Sequence, residues 1–159
     1  MVWKEGKING VEVKAVVKHS DNRGWLVEVF RCDEVPENIL PKMGYISVTH
    51  PGVSRGPHEH RKQTDIFGFI GPGNFRLTLW DNRKESSSYG VMQKIEVGDK
   101  NPVVVTVPPG IVHGYTNISS VDAMVLNFPD SLYAGKGKKE PVDEIRYEGA
   151  KNSPFILNG

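Results

Sequence analysis

The chain has 159 residues, 38% of them hydrophobic and 25% charged, a length that predicts one domain and a composition that excludes a disordered or coiled-coil chain. Twenty Lys and Arg against nineteen Asp and Glu leave a formal net charge of +1, so no global field is available to hold nucleic acid or an anionic membrane, and neither is expected as a partner. A lone cysteine, Cys32, excludes an internal disulfide and is read as structural; without a secretory apolar core or a run of roughly 18 apolar residues, the expected location is cytoplasmic.

Short runs rich in β-branched and aromatic residues recur along the chain. Strands are predicted at Val11 to His19, Gly24 to Phe30, Gly44 to His50, Asp65 to Ile70, Phe75 to Trp80, Val91 to Val97, Pro102 to Val107 and Asp122 to Phe128. Between them lie DNRG, HPG, GPGN, VGDKN and PPG, in which Gly reaches positive φ without steric cost and Pro presets a turn. The segment from Cys32 to Lys42 carries the one helical suggestion, and its two prolines limit it to a single turn. The stretch YAGKGKKEPVDEIRY, with Lys136, Lys138 and Lys139 near its middle, reads as a polar, solvated C-terminal tail. Residues 1–159 are therefore expected to form one all-β domain, a sandwich, jelly roll or small barrel, with a ligand held in its mouth.

Two histidine motifs stand out. In GVSRGPHEH, from Gly52 to His60, the spacing of His58 and His60 puts both imidazoles on one face of an extended strand, and Gln63 and Asp65 follow. In PPGIVHGYTN, from Pro108 to Asn117, a turn delivers His113 to a strand start. At least two of His58, His60 and His113 are expected to line one pocket, whereas His19 and His50 are read as ordinary packed or exposed histidines. Trp80, ending an alternating strand, is assigned to the core, and Trp25 is left open to stacking.

The pair of motifs resembles those of the cupin superfamily, whose members are jelly-roll barrels (double-stranded β-helices). Within it, GVSRGPH, PPGIVHGY, DNRKESSSYG (Asp81 to Gly90) and DNRGWLVEVF (Asp21 to Phe30) are similar, in order, to motifs of the dTDP-4-dehydrorhamnose 3,5-epimerases. The resemblance implies a cupin jelly-roll barrel and an isomerase acting on a nucleotide-activated 4-keto-6-deoxy sugar, without a cofactor, by proton abstraction α to the ketone. Such chemistry needs a base, a partner for the enolate oxygen and an acid on the opposite face. By the same resemblance His58 is the base, with His113, His60 and either Tyr115 or Tyr133 in support. Arg55 meets the diphosphate, Gln63 and Asn127 touch the substrate, and Arg23 and Glu28 reach into a neighbouring subunit of a homodimer. DNRKESSSYG is read as a turn without ligand contact.

Several positions depart from the family pattern. Asp65 stands where the family has lysine, Asn127 where it has its tyrosine, and Tyr45 and Ser47 where it has residues touching the nucleotide. Asp143, Glu144 and Glu148 are all candidates for the carboxylate that orients the base. These departures keep three other readings open: a 3,4-ketoisomerase shuttling a proton between His58 and His60, a cupin holding one divalent transition metal on His58, His60, Asp65 and His113, and a sugar-nucleotide-binding member without catalysis.

Overall fold

The computed structural model describes residues 2–157. Among the described residues, thirteen strands run in the order β1 (Lys4–Glu5), β2 (Glu12–Ala15), β3 (His19–Asp21), β4 (Gly24–Leu26), β5 (Tyr45–Thr49), β6 (Ser54–Glu59), β7 (Asp65–Phe69), β8 (Asn74–Asp81), β9 (Val91–Gly98), β10 (Val103–Val107), β11 (Ile111–Asn117), β12 (Ala123–Asn127) and β13 (Ile145–Arg146). Their pairing gives a six-stranded sheet, β1-β9-β8-β11-β6-β13, a five-stranded sheet, β2-β10-β7-β12-β5, and a separate β3-β4 hairpin. This is the all-β jelly-roll architecture expected of the sequence.

Alternation along the strands fills the space between the sheets. Phe67 and Phe69 on β7, Phe75, Leu77 and Leu79 on β8, Val103, Val105 and Val107 on β10 and Val125 on β12 form one buried cluster. Burying a side chain of this size contributes about 1.5–3 kcal/mol, so this layer supplies much of the favourable term. Trp80 is buried on the other face of β8, where it meets Val112 and Phe155. The core assignment of Trp80 therefore holds, but its cover comes from the C-terminal segment.

Most predicted runs match observed strands to within a residue or two. The first and second are shorter than expected, because Val16–Lys18 and Val27–Phe30 lie outside regular ladders. The predicted helical turn is a short 3₁₀ segment at Glu37–Ile39. Two expectations are corrected. Cys32 is an exposed free thiol, with no packing role to account for it. The polar tail is not simply solvated: β13 pairs with β6, and Tyr147 and Phe155 pack against the outer face of the six-stranded sheet. Its residues are exposed at Lys136–Lys138, and Tyr147, Phe155 and Leu157 further on dock.

The turn at Asp81–Gly90 closes on itself. The buried Asp81 carboxylate accepts hydrogen bonds from Arg83 Nε and Nη2 and from the Ser86 and Ser88 hydroxyls, at 2.6–2.9 Å. Burial raises its pKa, but the Arg83, Ser86 and Ser88 hydrogen bonds outweigh that and hold the carboxyl well below the usual carboxylate range. A structural role accounts for this motif.

Candidate active site

An irregularity in β6 organises the site. His113 on β11 pairs with His58, and Tyr115, two residues on, pairs with Arg55, three residues back. Opposed residues in an antiparallel pair share a face, and His113 and Tyr115 share the interior face by alternation. Arg55 and His58 therefore also share it, which three-residue spacing in a regular strand forbids. The extra residue is a β-bulge at Gly56–Pro57. Gly56 has φ +82°, and a Cβ there would lie 2.7 Å from the His113 carbonyl oxygen, so glycine is required.

The bulge opens onto a pocket of about 920 Å³, within the range that accommodates a nucleotide-sized ligand. Its wall combines Arg55, His58 and Tyr115 from the six-stranded sheet, Tyr45 and Ser47 from β5, and Glu144 to Leu157 from the C-terminal segment. That segment is anchored where the Gly56 N–H donates to Glu148 Oε1 at 2.7 Å and the Tyr147 hydroxyl donates to Glu59 Oε1 at 2.5 Å.

His58 stands at the pocket wall with Glu144 Oε1 3.9 Å from its Nδ1. Burial, with His113 and His60 nearby, holds His58 well below the ordinary imidazole range, so it rests neutral. Of the three carboxylates left open by the sequence, Glu144 is the one beside His58. Asp143 instead accepts the backbone N–H groups of Arg61, Lys62 and Gln63, and Glu148 accepts that of Gly56.

Opposite, the Asn127 amide donates to the Tyr45 hydroxyl at 2.8 Å, from the residue that pairs with Tyr45 across the β5–β12 ladder. Burial pushes the Tyr45 phenol up to about 12, which keeps it protonated. Tyr45 is not among the catalytic candidates of the sequence; its signal is its place in the alternation of GYISVTH, beside Asn127 on the neighbouring strand. The Tyr115 and Ser47 hydroxyls lie 3.2 Å apart on the pocket wall.

Behind His58 lies a buried layer. Asp65 Oδ2 is 3.2 Å from His60 Nε2 and 3.4 Å from His113 Nε2, while Asp65 Oδ1 accepts from the Gln63 and Asn127 amides, each at 2.9 Å. The donor atoms of His58, His60, Asp65 and His113 all lie within 4.8 Å of one another, which brings the three motif histidines together, although His58 alone of the three lines the pocket. Burial raises the Asp65 pKa, but hydrogen bonding to His113 and His60 outweighs it and keeps the carboxyl far below its usual range.

Other candidates lie elsewhere. Tyr133 is exposed and does not line the pocket. Arg23 sits on the exposed β3-β4 hairpin in an ion pair with Asp21, and Glu28 lies 3.6 Å from Arg31, both away from this chain's own pocket. His19 and His50 are exposed.

Comparison with known proteins gives the family and the fold. The family model described as dTDP-4-dehydrorhamnose 3,5-epimerase matches residues 5–141. The chain belongs to the dTDP-4-dehydrorhamnose 3,5-epimerase family. A Haloferax volcanii relative, the "probable low-salt glycan biosynthesis epimerase Agl13", is 35% identical over 127 residues, 79% of this chain and 81% of that one. Among solved structures, a dTDP sugar isomerase from Desulfovibrio desulfuricans superposes with a TM-score of 0.80 at 20% identity, covering 94% of this chain and 91% of that one. The 3′-monoepimerase ChmJ from Streptomyces bikiniensis, in complex with dTDP-quinovose, gives 0.76 at 21% identity, covering 90% and 72%. These two likenesses establish the fold, and the epimerase family match covers all the pocket residues except those of the C-terminal segment, Glu144 onward.

Proposed function

We propose that this protein epimerises a nucleotide-activated 4-keto-6-deoxy sugar, with His58 as base and Tyr45 as acid. The carrying observation is a neutral imidazole backed by Glu144 and a protonated phenol on the facing sheet, both in one pocket. His58 takes the hydrogen α to the ketone, and the electron pair passes to the ketone oxygen as an enolate. The Ser47 and Tyr115 hydroxyls are at hand to hydrogen-bond that oxygen. Tyr45 returns a proton to the carbon from the other side, inverting it, while Glu144 steadies the imidazolium that has formed. Arg55, held by Thr49 Oγ1 and the Val48 carbonyl, supplies a guanidinium for the diphosphate. The two-histidine shuttle of a 3,4-ketoisomerase has less support, since His60 is turned from the pocket toward Asp65.

The test is NMR of dTDP-4-keto-6-deoxyglucose with the protein in D₂O. Deuterium is expected at C3, and at C5 as well for a 3,5-epimerase. His58→Gln should slow incorporation by about 10²–10⁴-fold. No incorporation across several nucleotide sugars would leave the chain a binding member without catalysis.

The same reading includes a homodimer. The β3-β4 hairpin exposes Trp25 and Leu26 beside Arg23, and edge strand β5 exposes Ile46 and Val48 on its outer face. Light scattering should give the mass of two chains; a mass of one would refute the dimer.

A further inference from the structure

We propose that Glu59, the residue between the two histidines of the first motif, is a positioning residue: from the back of β6 it latches the C-terminal segment through Tyr147 and so sets Glu144 beside His58. This inference rests on the reading of His58 as base and adds to it a residue that does not line the pocket.

Glu59 is buried, and because His58 before it faces the pocket, alternation turns Glu59 to the outer face of the six-stranded sheet. Its hydrogen-bond partners are neutral: the Tyr147 hydroxyl at 2.5 Å and the Asn82 amide at 3.1 Å, both donating to Oε1. The Tyr147 ring packs on Phe155, centroids 4.6 Å apart, against the cluster that holds Trp80 and Val112. Burying a carboxylate among neutral groups is unfavourable, and an apolar side chain of similar volume would pack there as well or better. What the carboxylate adds is a strong, directed hold on one hydroxyl.

The segment so held carries the partner of the base. β13 pairs with β6 so that Ile145 lies opposite Glu59 and Arg146 opposite His58. Arg146 therefore shares the pocket face with His58, and its Nε donates to Glu144 Oε2 at 2.9 Å while Glu144 Oε1 stands 3.9 Å from His58 Nδ1. The same docking serves the bulge: the Tyr147 N–H donates to the Pro57 carbonyl at 2.9 Å, and Glu148 accepts the Gly56 N–H, so two backbone groups at the bulge find partners on this segment. β13 is two residues long and lies at the edge of its sheet, so its ladder alone is a weak tether. Phe155 docks the far end of the segment on Trp3 and Trp80; Glu59 holds the near end, which carries Glu144.

The test is a double-mutant cycle on deuterium uptake by dTDP-4-keto-6-deoxyglucose at saturating substrate, with amide hydrogen exchange as the structural readout. Tyr147→Phe and Glu59→Leu should each lower the uptake rate by about 10–100-fold, the effect expected when a supporting contact is lost. Glu59→Gln, whose carbonyl still accepts from the phenol, should recover most of that rate. In a Glu144→Gln background Tyr147→Phe should change the rate by no more than about twofold, because the two act through one group. The Gly56 and Tyr147 amides should lose protection in Glu59→Leu while those of Phe67 and Val105 keep theirs. An undiminished rate in Tyr147→Phe would overturn the proposal, as would an equal loss with and without Glu144, or protection lost at Phe67 and Val105 as well. Absence of uptake with the unmodified protein would overturn the epimerase reading instead, and the latch would then stand or fall on the Gly56 and Tyr147 amides alone.

Discussion

The two ends of the barrel interior share their strands but not their chemistry. β7 contributes Asp65 to one end and Phe67 and Phe69 to the other; β12 contributes Asn127 to the first and Val125 to the second. At the apolar end Phe69, Phe75 and Tyr115 meet with ring centroids 5.0–5.8 Å apart, and dispersion and area burial suffice. At the polar end most buried groups depend on a named partner, and among the described residues the side-chain atoms without one are Asp65 Oδ2, His113 Nε2 and Asn127 Oδ1. The frame is thus paid for at one end, and the other is left free to carry chemistry at some expense in stability.

The division can be tested by separating rate from stability. His58→Gln should give the largest effect on exchange, the loss of about 10²–10⁴-fold given above, with little change in the melting transition. Phe75→Ala should do the reverse, costing about 3–5 kcal/mol in denaturant unfolding while the folded fraction keeps most of its exchange. If both variants lost rate and stability together, the two ends would be one cooperative unit. Asp81→Asn should be smaller, about 1–3 kcal/mol, because it weakens hydrogen bonds to one carboxylate in a turn. The folded-state pKa of Asp81 is depressed, so its contribution is complete above its unfolded value of about 4 and lost as pH falls below that. Urea midpoints measured down the acid limb should therefore fall less steeply in Asp81→Asn than in the unmodified protein.

Much of the frame was legible because a strand with one buried face writes its alternation into the sequence, as in FRLTLW and PVVVTV. β11 is less explicit: all seven of its residues are buried, so no polar face betrays it. β6 is interrupted by Gly56–Pro57, residues that ordinarily argue against a strand. The pairing of the histidine motifs was visible from their spacing, and their union in one cluster followed. Glu144 and Tyr45 were harder. Glu144 reaches His58 only because β13 returns to β6 more than eighty residues later, a contact with no local signature. Tyr45 matters because it faces Asn127 across a ladder, so a phenol absent from one strand is present on its neighbour.

The bulge at Gly56–Pro57 bears on how such a site is gained or lost. With His58 held opposite His113, flattening the bulge at unchanged chain length would restore regular pairing and turn Arg55 to the outer face, because three-residue spacing in a regular strand puts the two on opposite sides. A substitution that denies Gly56 its positive φ would therefore separate the guanidinium from the imidazole with both residues still in the chain. Among relatives of this fold, whether the strand is bulged between the arginine and the histidine is as informative as their identities.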